Sequence, residues 1–154
     1  MTVDDLLPVD RVICGLRTAG KAALLDDLAR RAALALGREA APIRAALAAR
    51  ESLGSTGIGD GIALPHARLD GLDRPFGLLA RLRDPLDFEA IDGCPVDLVA
   101  LLLLPADPRD VSVTALACIA RRLRDPDVAV ALRTARDVPG LHAALRRNGL
   151  GAGG

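Results

Sequence analysis

The chain has 154 residues, 51% of them hydrophobic, and its 20 basic side chains balance its 20 acidic ones. That length suits one domain with a sizeable core, and two Phe with no Trp or Tyr make the core aliphatic. Nucleic-acid binders usually show a basic excess or aromatic stacking platforms, so we predict no nucleic-acid partner.

The chain carries no sign of a targeting segment or of a disulfide framework. Its three cysteines, Cys14, Cys94 and Cys118, form no Cys-x-x-Cys pair, so we expect buried thiols and no zinc or redox site. The acidic N-terminus is no signal peptide, and the apolar run Leu98–Leu104 is too short to span a bilayer. We therefore predict a cytoplasmic protein without membrane insertion.

The first 50 residues predict a strand and two helices after a short lead-in at residues 4–8. The β-branched run Val12–Cys14 indicates the strand, and Thr18 is a candidate N-cap for a helix that ends at Gly37. A second helix should begin near Ala40. The expected buried positions are Leu24, Leu28, Ala32 and Ala35 on the first helix and Ile43, Ala46 and Leu47 on the second.

Residues 50–68, RESLGSTGIGDGIALPHAR, hold a glycine-rich turn and His66, one of two histidines. Pro65 fixes the backbone before His66, and the glycines can present bare N–H groups to an anion. One nitrogen of a neutral imidazole is free to attack an electrophile. We predict that His66 is a nucleophile that takes a phosphoryl group from another protein. Arg50 is either a simple helix-end charge or a phosphate contact.

Other chemistries fit this segment less well. The turn lacks the lysine of a P-loop and the spacing of a dinucleotide fingerprint, so we expect no nucleotide cofactor. A Ser55–His66–Asp60 triad lacks the Gly-x-Ser-x-Gly elbow, and no second histidine or cysteine is near enough in sequence for a metal site. A structural histidine, and a small-ligand domain that uses the turn as an anion nest, remain open.

The middle of the chain predicts strands. Residues 68–71 after the histidine indicate a polar turn. Residues 76–82 alternate, with Phe76, Leu78, Ala80 and Leu82 on one face, and Asp84-Pro85 should end that strand. A connection with a brief strand is expected across residues 86–93. The continuous apolar run Val96–Leu104 predicts a strand buried on both faces.

Three helices should close the chain. They are expected to begin at Asp110, at Asp125-Pro126 (through Arg136) and at Asp137 (through Arg147). Ser112 falls in the first turn of the first of them, and His142 should face outward. The expected inward positions are Leu116, Ile119, Ala120, Leu123, Val138, Leu141 and Leu145. The order of elements indicates an α/β fold, a mixed sheet covered by helices.

Two segments carry a family resemblance: RESLGSTGIGDGIALPH at residues 50–66 and LDFEAIDGCPVDL at residues 86–98. The first closely resembles the active-site signature of enzyme IIA of the bacterial phosphotransferase system, fructose/mannitol class. The second resembles in particular its nitrogen-regulatory branch. The likeness extends over residues 4–147. It implies one enzyme IIA type 2 domain over residues 1–154, a mixed sheet sandwiched by helices, with a flexible glycine-rich tail at residues 149–154.

The resemblance also implies a function. His66 would accept phosphate from a small phosphocarrier protein of the HPr or NPr type, with no metal or nucleotide, and pass it to an acceptor such as enzyme IIB. In the nitrogen-regulatory branch the phosphorylation state instead governs contacts with other proteins. The residues expected to hold the phosphate are Arg50, Thr56, Gly57 and Ser112. Those expected to form an apolar docking rim are Ile58, Ile62 and Leu64.

One departure from the family pattern concerns Ser112. The family usually carries a second histidine at the start of the helix after the long apolar strand, where this chain has Ser112. A serine hydroxyl is never cationic, and a neutral hydrogen bond contributes about 1 kcal/mol against about 1.5–3 for a charge-assisted one. We therefore expect slower phosphoryl transfer or a less persistent phosphohistidine. The alternative is a binding-only regulator that has lost efficient transfer.

Overall fold

The computed structural model describes residues 2–107 and 113–147 and shows a mixed six-stranded sheet between two layers of helices. The strands are β1 (Val12–Leu16), β2 (Gly57–Gly59), β3 (Ile62–Ala63), β4 (His66–Leu69), β5 (Phe76–Leu86) and β6 (Val96–Pro105). The helices are α1 (Val3–Leu6), α2 (Lys21–Leu36), α3 (Ala40–Ser52), α4 (Val113–Arg124), α5 (Pro126–Thr134) and α6 (Val138–Leu145). The predicted α/β class is confirmed.

Strand β6 is the centre of the sheet. It pairs antiparallel with β5 and parallel with both β3 and β4, while β1 pairs parallel with β5 and β2 antiparallel with β3. Every residue from Leu98 to Leu104 is buried, because helices cover both faces. Helices α2 and α3 pack on one face, and α1, α4, α5 and α6 pack on the other. The predicted doubly buried strand is confirmed.

Strand β5 is longer than predicted. Its even-numbered residues 76–82 face the α2–α3 layer and Leu79 faces the opposite one, as the alternation predicts. Asp84-Pro85 does not end it, because the register shifts between Arg81 and Leu86 and pairing resumes at Leu86. Such an irregularity tolerates a proline that has no N–H to donate.

The brief strand expected within residues 86–93 does not form as a separate element, since Leu86 ends β5 and residues 87–93 lie outside any strand. Those residues make a turn instead, in which Glu89 has a positive φ of 58°. The Asp87 carboxylate accepts a hydrogen bond from the Glu89 N–H (2.9 Å), and Asp92 accepts one from the Cys94 N–H (3.1 Å). Aspartates that bond the backbone two residues on favour turns over strands.

The N-terminal half differs from prediction at the ends of its elements. The lead-in is helix α1, stabilised by a capping box in which Thr2 and Asp5 exchange hydrogen bonds. Helix α2 begins after Gly20, and the Thr18 hydroxyl donates to the Gly20 carbonyl (3.2 Å) without capping the helix. At the end of α2, Ala35 is exposed while Leu36 packs against the core. The position that faces the core is therefore one residue later than predicted.

The C-terminal helices agree with prediction except at their limits. Asp125 and Asp137 accept hydrogen bonds from the first turns of α5 and α6, and α5 ends at Thr134. His142 is half-buried with Nε2 3.9 Å from Asp4 Oδ1, so it is not simply a surface residue. Cys94 is exposed, contrary to expectation. The predicted helix start at Asp110, Ser112 and the tail at residues 149–154 lie outside the described residues.

Within residues 2–107 and 113–147, no helix combines the length and the apolar content needed to cross a bilayer.

Candidate functional site

His66 opens strand β4 immediately after Pro65. The polar turn predicted at residues 68–71 is confirmed only at Asp70 and Gly71, because residues 66–69 form a strand parallel to β6, with His66 opposite Leu102. The alternation explains the difference: Ala67 and Leu69 point into the core while His66 and Arg68 share the other face. A strand with one buried face thus presents the histidine and an arginine side by side.

The His66 ring has its two nitrogens in different states. Nδ1 lies 2.8 Å from the carbonyl oxygen of Leu64. A carbonyl only accepts hydrogen bonds, so Nδ1 carries the ring proton in the neutral imidazole and Nε2 keeps its lone pair. Among the described residues none makes a hydrogen bond to Nε2. The half-buried ring is therefore held in the tautomer that leaves Nε2 available as a nucleophile.

A cavity of about 390 Å³ lies against His66. Two arginines line it: Arg50 Nη1 donates to the Gly54 carbonyl (3.0 Å), and Arg68 Nη1 donates to the Pro105 carbonyl (2.8 Å). A guanidinium has five N–H donors, so both retain donors for an anion. The remaining lining residues are aliphatic: Ala46, Ala49, Leu53, Ala67, Leu104 and Leu116. Arg50 is both a helix-end charge and a neighbour of the site.

Arg68 lines the cavity without having been predicted as a site residue from the sequence. A signal existed, since a residue two after His66 shares its face if the segment is a strand. Four residues are too few to establish that periodicity from the sequence, so the segment is predicted as a turn.

Hydrogen bonds within the glycine turn and to the end of α3 stabilise the turn. The Thr56 N–H donates to Glu51 Oε1 (3.2 Å), the buried Thr56 hydroxyl also donates to that carboxylate, and the Gly57 N–H donates to Ser55 Oγ (3.0 Å). Lys21 Nζ lies 2.8 Å from Glu51 Oε2. Thr56 and Gly57 do not line the cavity, and their role as phosphate ligands stays a prediction.

A second anchor ties the turn to the loop before β6. Asp60 has a positive φ of 57°, and its N–H donates to Asp92 Oδ2 (3.0 Å). Backbone hydrogen bonds from Cys94 and Asp60 lower the pKa of Asp92 below its ordinary value. The resulting negative charge raises the pKa of the exposed Cys94 thiol. Ser55 Oγ donates to the Phe88 carbonyl (2.9 Å), so Ser55 and Asp60 are engaged with this loop and not with His66.

The predicted docking rim is wrong for two of its three residues. Ile62 and Leu64 are buried, and Ile58 is half-buried, in the layer facing α4–α6, because their segment runs beside β6 and points its side chains into that core. The large apolar residue exposed at the cavity is Leu53, with 83% of its surface accessible.

Comparisons with known proteins give a consistent result. Residues 5–148 match the family model described as "Phosphoenolpyruvate-dependent sugar phosphotransferase system, EIIA 2". The chain is 42% identical over 145 residues to a nitrogen regulatory protein of Bradyrhizobium diazoefficiens, covering 94% of this chain and 95% of that protein. Identity to a nitrogen regulatory protein of Pseudomonas aeruginosa is 37% over 141 residues, covering 91% and 92%.

Solved structures agree with the sequence matches. The nitrogen regulatory protein IIA-Ntr of Neisseria meningitidis superposes with a TM-score of 0.86 at 29% identity, covering 93% of this chain and 98% of that one. A complex of enzyme IIAMTL and phosphorylated enzyme IIBMTL from Escherichia coli gives a TM-score of 0.75 at 16% identity, covering 92% and 99%. The second likeness is one of fold alone.

Proposed function

The chain belongs to the EIIA 2 family of the phosphoenolpyruvate-dependent sugar phosphotransferase system, and from that premise we propose that it carries a phosphoryl group on His66. The observation that carries the proposal is the hydrogen bond between His66 Nδ1 and the Leu64 carbonyl. It leaves Nε2 unprotonated in a ring that lines a cavity with two arginines.

The proposed step needs no group beyond the two proteins. His66 Nε2 attacks the phosphorus of a phosphohistidine on the donor, a bond forms between Nε2 and phosphorus, and the donor's N–P bond breaks with its electron pair returning to the donor nitrogen. The phosphoryl group arrives already activated, so positioning and charge stabilisation are what the protein must supply. Arg50 and Arg68 supply the positive charge.

The same hydrogen bond prepares the next transfer. The Nδ1–H donates to the Leu64 carbonyl, so a ring that keeps this proton departs from phosphorus as a neutral imidazole and not as an imidazolate anion. A neutral imidazole is the better leaving group of the two, and the phosphohistidine remains ready to be passed on. This property suits a carrier better than a terminal acceptor.

The proposed partners are proteins. The donor is a phosphocarrier protein of the HPr or NPr type, docking over the cavity and the exposed Leu53. Several relatives are called nitrogen regulatory proteins, so we assign the output to regulation, with contacts to target proteins set by the state of His66. Transfer to an enzyme IIB is the alternative output.

The test is phosphorylation by labelled phosphoenolpyruvate with the general phosphotransferase proteins. The wild type and His142→Ala should retain acid-labile label, and His66→Ala should retain none. His142 is the matched control because it is the only other histidine. Equal labelling of His66→Ala and the wild type would disprove the assignment.

The binding-only alternative depends on Ser112 and is tested separately. We expect Ser112→His to lengthen the half-life of the phosphohistidine, since a second imidazole can donate a charge-assisted hydrogen bond. Equal half-lives in the variant and the wild type would discard any effect of this serine. Absence of label from the wild type would favour the binding-only protein.

A further inference from the structure

A second cleft, of about 750 Å³, lies at another place on the surface and shares no lining residue with the cavity at His66. Its walls come from three segments: the N-terminal residues through Arg11, the end of α2 with Arg38, and the loop from Gly71 to Phe76. Its volume falls in the range of small-molecule sites, about 300–1,000 Å³. Nothing in the proposed phosphoryl transfer uses it.

Three arginines line this cleft, and two of them are held in place. The Arg11 guanidinium lies over the Phe76 ring, 4.1 Å from its centroid, a favourable cation–π arrangement. Arg38 Nη2 donates to the Asp70 carbonyl (2.7 Å). Gly71 has φ +76°, and a Cβ there would come within 2.6 Å of Arg38 Nη2. The turn thus favours glycine for its conformation, and a side chain there would displace the Arg38 guanidinium.

The positive charges of the cleft are not neutralised by ion pairs. Among the described residues, no carboxylate lies within ion-pair distance of Arg11, Arg38 or Arg74. Two carboxylates, Asp5 and Asp73, also line the cleft, so three arginines and two aspartates leave it one net positive charge. Asp5 accepts a hydrogen bond from the Thr2 N–H (2.8 Å), which directs that carboxylate to the start of α1 and lowers its pKa. Three guanidinium groups with free donors in one concavity attract and orient anions.

From this arrangement we propose that the cleft binds a small organic anion, a molecule with a carboxylate or phosphate group on an apolar body. The arginines take the anionic group, because the planar guanidinium fork matches both carboxylate and phosphate oxygens. Leu72 and Pro75 provide apolar wall for the rest of the ligand. The cleft is a candidate effector site, independent of the phosphoryl chemistry at His66.

The experiment is an NMR titration of the full chain with phenyl phosphate, benzoate and neutral benzyl alcohol, following backbone amides. We expect saturable shifts at Leu72, Arg74 and Phe76 with at least one of the anions, and weaker binding of benzyl alcohol. Comparing the two anions identifies the preferred anionic group. Shifts confined to residues 64–69, or tightest binding by the neutral alcohol, would overturn the proposal.

Variants separate this site from the one at His66. Arg74→Gln, on the exposed loop, and Arg11→Gln should each weaken binding of the anion by about tenfold or more. Arg30→Gln on the exposed face of α2 is the matched control and should leave the affinity unchanged. Unchanged affinity in Arg74→Gln and Arg11→Gln would overturn the proposal. Neither outcome bears on the test of His66, because the loss of phosphorylation expected in His66→Ala does not depend on the cleft.

Discussion

Two regions lie near His66: the glycine turn at residues 54–61 and an arginine wall made by Arg50 and Arg68. They use their polar groups in opposite ways. In the turn, the donors of Thr56 and Gly57 are bound to Glu51 and Ser55. In the wall, formed by the end of α3 and by β4, the guanidinium groups retain free donors at the cavity. A glycine-rich segment beside a histidine therefore need not offer its N–H groups to an anion.

The glycines of the turn serve packing. A Cβ at Gly57 would lie 2.8 Å from Ala90 Cα, closer than real contacts allow, and the Gly57 carbonyl accepts a hydrogen bond from the Ile91 N–H (3.2 Å). The turn fits closely against the loop before β6 and fixes where the chain enters β4. We infer that the turn positions His66 and that the wall contacts phosphate.

The largest effect should come from breaking the anchor of the turn. Glu51→Met removes a carboxylate with a side chain only 7% exposed. It leaves the Thr56 donors without their partner and the Lys21 ammonium with only the longer contact to Glu89 Oε1 (3.6 Å) as an ion pair. We expect a loss of about 3 kcal/mol in the free energy of unfolding, the lower end for a broken buried pair, measured by urea denaturation.

The matched control for this prediction is Asp26→Ala. Asp26 also pairs with two cations, Arg30 (3.5 Å) and Arg44 (2.7 Å), but on the exposed face of the helices. Exposed pairs contribute below about 1 kcal/mol. Equal losses in Glu51→Met and Asp26→Ala would show that the turn does not depend on its buried carboxylate.

The next effect concerns the arginine wall. Arg50→Gln should slow phosphorylation of His66 about 10- to 100-fold, because it removes charge-assisted hydrogen bonds from the transition state. Arg68→Gln should slow it less, since Arg68 is more exposed and its interactions are better screened. Rapid-quench kinetics measures both rates. If both variants keep the wild-type rate and Thr56→Val is slow, the turn and not the two arginines contacts the phosphate.

The smallest effect should come from Leu53, the exposed leucine beside the cavity. Leu53→Ser should weaken binding of the phosphocarrier protein by about 1 kcal/mol, part of the value of burying a leucine, with the free energy of unfolding unchanged. Titration calorimetry gives the affinity. Leu34→Ser, at a leucine 86% exposed on α2, is the control. A similar loss in the control would show that Leu53 is no special contact.

The sequence predicts the fold well because its strongest signals are those of burial. The run Val96–Leu104 and the alternation at residues 76–82 specify the two longest strands without reference to partners. Short strands give weaker signals: HARL at β4 has too few residues to show a period, and its pairing with β6 is a long-range contact. The register shift before Leu86 likewise depends on the neighbouring strand.

The site was predictable in its centre and less so in its surroundings. His66 and Arg50 could be selected from residue type and local spacing. The burial of Ile62 and Leu64 depends on helices far away in sequence. The Glu51 carboxylate that accepts from Thr56 is also paired with Lys21, near the start of α2. Such contacts are formed only in the folded chain.

Lys21 is the only lysine in the chain, and its ammonium braces the turn through Glu51. Amine-reactive dyes and cross-linkers that reach it will modify that brace, so a labelled sample would report on a disturbed molecule. The exposed Cys94 is a better attachment point, and because its pKa is raised, alkylation there should be carried out under more alkaline conditions than usual.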